Sequence, residues 1–419
     1  MDALKDIVGP ALVGGAIKCI DMHTTGEPTR IVYSGFPRLK GTLLEQREQA
    51  SQQYDHIRKR LLLEPRGHWD MYGAILVLET EQVSAGKADM GVLFMHNQGF
   101  SMMCGHATIA LGRFLVDAHE SIFPARKTFK VDKESSTIQV NLHVPCGIIS
   151  ITVPVLPHGR SDPHRPVSFV SVPSFASGIS VRVPLSDAQR WPELGGRTSV
   201  VADFAYGGVF YCLIDARELG FRDGLIAPDI ARMSFATKLL KDAINGNPEL
   251  AFCTKHPDMD VAAALYSVLV VDAHPDHHAS SRLAHGGSMS TCGDHETGLC
   301  FFANQQIDRS PTGGGVAARA ALAYTTGRLA EGQRRCYHSL LSRSQSGRGS
   351  FSGTIVQVLS SVDGHDAHEF GHPFGHPLVR VRIEGQAFYT GLYTAVVEEG
   401  DTVGATGFSL SQLTGEGNR

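Results

Sequence analysis

No run in this 419-residue chain approaches the roughly 20 consecutive apolar residues that a membrane-spanning helix requires. Neither sign of charge dominates: 38 Lys and Arg stand against 42 Asp and Glu, a net charge of −4. Nucleic acids and acidic membranes are met by a basic excess, so neither is expected as a partner. The eight cysteines include no C-x-x-C pair, and the chain has no N-x-S/T sequon. Residues 1–19 lack the pattern of a signal peptide, because Asp2 and Asp6 stand where positive charge belongs and Pro10 and Gly14-Gly15 interrupt the apolar stretch. The final GEGNR is no retention or peroxisomal address. These absences predict a cytoplasmic chain with unoxidised thiols. Both nucleotide loops are missing too. The glycines at 313–315 fit neither G-x-x-x-x-G-K-[S/T] nor G-x-G-x-x-G.

What remains is an ordinary globular composition, 42% hydrophobic and 19% charged, at a length suited to two or three domains. Strand patterns dominate, at 72–79, 137–144, 147–155, 263–273, 354–362 and 377–398. Helical patterns are fewer: 43–62, 104–117, 228–243 and 314–330. The helices near 104 and 314 are built from small apolar residues and have almost no solvated face, which predicts burial. The chain therefore reads as α/β (α+β), with two similar domains, each a curved sheet around a central helix. The expected boundaries are 15–200, 201–370, and a C-terminal 371–415 returning to the first domain. Pro/Gly/His-rich loops are expected at 156–166, 274–298 and 363–378.

The two buried helices begin alike. MCGHATIALG surrounds Cys104, and about 200 residues later DRSPTGGGVAARAAL surrounds Thr312. Each sets a thiol or hydroxyl at a helix start. Free thiols are most often buried and inert. A helix N-terminus, however, stabilises thiolate and lowers a thiol pKa from its usual ~8.5. The amides of Gly105 and His106 are helix-start donors suited to an anion. Pro311 suits a first turn, and Gly313 and Gly314 let a ligand approach the backbone. Thr312 reads equally as a helix cap. Two such helix starts facing each other would grip a small carboxylate from both sides.

These motifs resemble those of the proline racemase family. DMHTTGEPTRIV (21–32), RGHWDMYGAILV (66–77), ADFAYGGVFY (202–211) and GRGSFSG (347–353) agree, so the likeness spans about 18 to 400. The resemblance implies a diaminopimelate epimerase-like fold of two α/β domains, no cofactor, and a homodimer acting on a small cyclic amino acid. Racemases of this family carry a cysteine in each motif, one to remove the Cα proton and one to return a proton from the other face. This chain keeps Cys104 but has Thr312 second. A threonine hydroxyl supplies no base near neutral pH, so the pattern is similar to trans-3-hydroxy-L-proline dehydratases, where one base suffices. The resemblance then implies Cys104 as base, Asp308 on the ring ammonium, and the Gly105, His106, Gly313 and Gly314 amides on the carboxylate. Thr312 either bonds the leaving hydroxyl or caps its helix. A racemase or 4-hydroxyproline epimerase with another second base is the alternative. A silent carboxylate-binding protein would not need the thiol.

Other residues invite blander readings. The histidines at 274, 277, 278, 285 and 295, and at 365, 368, 372 and 376, lack helical metal-ligand spacing, and no metal is expected. Cys19, Cys146, Cys212, Cys253, Cys300 and Cys336 read as structural thiols, and Cys292 as an exposed, oxidisable one. Glu27 and Arg30 read as a structural ion pair. Asp203 is given no role, and Ser350 and Ser352 are candidates to approach the substrate.

Overall fold

The computed structural model describes residues 15–257, 264–272, 295–359 and 375–410. It divides into two compact units: one takes the described residues up to Val167 and those from Gln386 onward, and the other runs from Ser168 to Gly385.

In the first unit the strands lie in the order 387–395, 17–24, 27–34, 73–77, 90–95, 137–144 and 147–154. Successive pairings are antiparallel, antiparallel, parallel, antiparallel, parallel and antiparallel. In the second unit the order is 175–184, 199–206, 210–215, 265–272, 295–302, 334–338 and 351–359, and the same series of directions recurs. A short strand hairpins back in each: Phe100–Ser101 on Met90–Met95, and Gln306–Asp308 on His295–Phe302. In both units that short strand leads directly into an apolar helix, Gly105–Asp117 or Gly313–Thr325. The units thus share one topology with no readable sequence repeat, because strand direction depends on periodicity and turns and many sequences satisfy both.

Each helix buries eleven of its thirteen residues, so neither has a solvated face. The first packs on strands of its own unit, including 17–24 and 147–154, and the second on 199–206, 351–359 and 378–385. Close packing dictates the small residues. A Cβ on Gly112 would lie 2.6 Å from the Ile151 Cγ2 methyl.

Several expectations shift. The helix expected over 43–62 is two, Leu43–Gln53 and Asp55–Leu62, broken at Tyr54 (φ −125°), whose ring packs edge-on against Phe36. The helix expected to reach 330 ends at Thr325, just before Gly327 turns left-handed at φ 72°. The run 377–398 is two strands. Leu378–Gly385 pairs with Phe351–Leu359 in the second unit, and Ala387–Ala395 pairs with Ile17–Thr24 in the first. Likewise Phe175–Pro184 pairs with Ser199–Tyr206, so the first crossover lies near 167 and the return near 386, not at 200 and 370. Most of the expected loops 274–298 and 363–378, with His274, His277, His278, His285, His365, His368, His372 and Cys292, fall outside the described residues. No helix among the described residues is long and apolar enough to cross a membrane.

Gly112→Val should destabilise the first unit by about 1–3 kcal/mol through overpacking against Ile151. Thermal or urea unfolding checks this, and an unchanged midpoint would show that the helix–sheet contact is loose.

Candidate active site

Cys104 stands one residue before the Gly105–Asp117 helix, in extended backbone (φ −148°, ψ 117°). From there its sulfur accepts a hydrogen bond from the Ala107 amide at 3.4 Å, acting as the helix cap. The Cys104 carbonyl accepts from both the amide and the hydroxyl of Thr108, at 3.1 and 2.7 Å. The thiol is thus fixed at the helix start.

His106 adds a second influence on the same atom. Its Nδ1 lies 3.1 Å from the Cys104 sulfur. Either the thiol donates to the imidazole or the imidazole N–H donates to a thiolate, and the two arrangements differ by the position of one proton. The residue is buried, its carbonyl accepts from the Thr24 hydroxyl at 2.9 Å, and its ring meets Tyr72 edge-on with centroids 4.8 Å apart. The Tyr72 and Ser101 hydroxyls are 2.5 Å apart, and Ser101 donates to the Met103 carbonyl. Tyr72 and Ser101 thereby brace the turn that carries the thiol. Neither draws attention in the sequence, although the C-x-H spacing across a glycine does foreshadow the thiol–imidazole pair.

The second motif is built differently. Thr312 precedes the Gly313–Thr325 helix at φ 64° and ψ 93°, and its side chain caps none of the helix amides. A β-branched residue at positive φ is held by its surroundings. The Thr312 amide donates to Ser310 Oγ at 3.2 Å, and the Ser310 amide donates to Asp308 Oδ1 at 2.7 Å. Asp308, Ser310 and Thr312 are all buried. Two close approaches require glycine here. A Cβ on Gly207 would lie 2.1 Å from the Gly314 carbonyl oxygen, and one on Gly314 would lie 2.5 Å from the Tyr211 hydroxyl.

The remaining candidates have structural partners. Arg30 pairs with Asp21 at 2.8 Å, which corrects the expected Glu27–Arg30 pair: on adjacent antiparallel strands Asp21 is the residue opposite Arg30. Asp203 accepts from the Ser180 amide, and the Ser352 hydroxyl donates to Glu384. Burial pushes the thiols of Cys19, Cys253 and Cys300 up to about 12, so they stay protonated at neutral pH. Cys336 is disulfide-bonded, a correction to the unoxidised thiol expected for it. Among the described residues no cluster of three or more His, Cys, Asp or Glu could hold a metal ion.

The model of the family described as proline racemase matches residues 19–409. The chain belongs to the proline racemase family. It is similar to the trans-3-hydroxy-L-proline dehydratase of Homo sapiens, 38% identical over 391 residues and 92% of each chain. It is 32% identical to the enzyme of that name from Burkholderia ambifaria, over 86% of this chain and 94% of the other. Among solved structures, a hydroxyproline epimerase from Agrobacterium vitis with bound trans-4-hydroxy-L-proline shares the fold at a TM-score of 0.71 and 21% identity, covering 96% of this chain and 98% of that one. A probable proline racemase from Agrobacterium radiobacter K84 does so at 0.72 and 21%, covering 95% and 98%. The fold is the diaminopimelate epimerase-like α/β fold that the motifs imply.

If the imidazole favours the thiolate of Cys104, His106→Gln should move the midpoint pH of iodoacetamide inactivation upward by about one unit or more. An unchanged midpoint would leave the helix start as the only activating influence.

Proposed function

We propose that this chain is a hydro-lyase that removes water from trans-3-hydroxy-L-proline to give Δ1-pyrroline-2-carboxylate. The observation that carries the reading is the unequal pair of helix starts. A thiol with an imidazole 3.1 Å from its sulfur stands at one, and a hydroxyl that caps nothing stands at the other. The names of relatives at 32–38% identity support it.

In the proposed reaction the Cys104 thiolate takes the Cα proton, acting as general base. The electron pair of the broken C–H bond forms a double bond to C3, and the C3–O bond breaks. Hydroxide takes up a proton and leaves as water. The resulting enamine tautomerises to the cyclic imine, so no proton need be returned to the opposite face of Cα. The substrate carboxylate rests on the amides of Gly105, His106, Gly313 and Gly314, which delocalises the charge developing at Cα. Asp308 accepts hydrogen bonds from the ring ammonium. Thr312 hydrogen-bonds the leaving hydroxyl, a role favoured over helix capping because its side chain caps no amide. The reaction needs no cofactor. A homodimer belongs to the same proposal, on the resemblance to the family.

The isomerase alternative needs a second base. The thiol beside the second motif is Cys300, and burial with the nearby Asp308 charge pushes it up to about 12, too high for a base at neutral pH.

Cys104→Ala should lower turnover of trans-3-hydroxy-L-proline by at least ~100-fold with the fold intact by circular dichroism. Near wild-type turnover would mean that the base is another group. Thr312→Cys should gain slow α-proton exchange on L- and D-proline in D₂O. Complete absence of exchange would show that more than a second thiol separates the two activities.

A further inference from the structure

The strand His295–Phe302 presents Glu296, Gly298 and Cys300 at alternate positions, and hence on one face. Each meets a part of the second motif. Glu296 Oε1 accepts from Arg319 Nη1 at 3.1 Å. A Cβ on Gly298 would lie 2.8 Å from that same Nη1, so the guanidinium occupies space that only glycine leaves open. Cys300, buried beside the second motif, has Thr312 and Asp308 among the groups that act on its thiol.

Arg319 lies within the helix, but its side chain turns back toward the helix start. Nη2 donates to the Pro311 carbonyl at 2.8 Å and Nε to the Gly315 carbonyl at 3.4 Å, with the guanidinium 4.6 Å from the centre of the Tyr337 ring. Its side chain is 2% exposed. Two of its donors therefore bracket Thr312, one on the peptide entering it and one on the first helical turn. Thr312 is the residue held at φ 64°, where a threonine stays only if its neighbours impose it. A lysine in place of Arg319 would supply a point charge without the fork that reaches both carbonyls.

We propose that Arg319, anchored by Glu296, is a positioning residue for the dehydration: it clamps the Pro311–Thr312 peptide and so aims the Thr312 hydroxyl at the leaving group. This rests on the dehydratase reading. Arg319 touches no substrate and acts through Thr312. Gly298 completes the device by making room for the guanidinium.

The test is a double-mutant cycle on full-length enzyme with trans-3-hydroxy-L-proline, using Arg319→Lys, Thr312→Ala and the pair. Arg319→Lys should lower kcat by ~10–100-fold, as a misplaced reacting group does, with KM changed less than about 3-fold. On the Thr312→Ala background the same change should cost less than about 2-fold, because its target is gone. Equal losses on both backgrounds would mark a general structural role and overturn the proposal. So would wild-type kcat in Arg319→Lys, or in Thr312→Ala. Should Arg319→Lys fail to fold by circular dichroism, Glu296→Gln takes its place in the same cycle with the same expected outcome. A wild-type enzyme that does not dehydrate the substrate refutes the functional reading itself; an active wild type with an additive cycle refutes only the positioning role.

Discussion

The first amides of a buried helix must find acceptors, and the rest of this molecule is arranged around how that need is met. Both apolar helices bury eleven of thirteen residues, so solvent does not satisfy their N-termini. At the first, the Cys104 sulfur takes the Ala107 amide. At the second, Thr312 caps nothing. In the proposed reaction the helix-start amides receive the substrate carboxylate, a role that such amides suit. The sheet topology repeats in each unit, and in each it delivers a short strand into a turn and the turn into the helix.

In the proposed reaction, the asymmetry between the two helix starts is what separates one-base from two-base chemistry. At the thiol, the Ala107 amide and the His106 imidazole both lie within hydrogen-bond distance of sulfur. At the hydroxyl, the surroundings fix geometry instead: a serine under the Thr312 amide and an arginine on the preceding carbonyl. A group that holds a leaving hydroxyl needs aim more than basicity, and an elimination has no use for a second proton donor at Cα.

Much of this is legible in the sequence, for physical reasons. Small residues in helical periodicity without a polar face demand burial, and that placed both helices. Glycine and proline beside Cys104 and Thr312 marked the helix starts. The limits of legibility are equally physical. The run 377–398 is rich in strand formers on both sides of Glu384-Gly385-Gln386, and pairing partners reveal that this break divides it between units. Arg319 is a lone charge in a helix expected to be buried, and its partners, Glu296 and the space at Gly298, come from strand 295–302, outside its own helical pattern. The left-handed backbone of Thr312 is invisible because threonine is not the residue that announces positive φ. The disulfide at Cys336 escapes because it has no local spacing signature.

The most direct measurement is proton NMR of the purified enzyme in D₂O with trans-3-hydroxy-L-proline, alongside separate samples of L-proline and trans-4-hydroxy-L-proline. One-base dehydration predicts Δ1-pyrroline-2-carboxylate from the first substrate and no D-proline or epimer from the others. Inversion at Cα without loss of water would contradict it and show that the second helix start supplies a base after all.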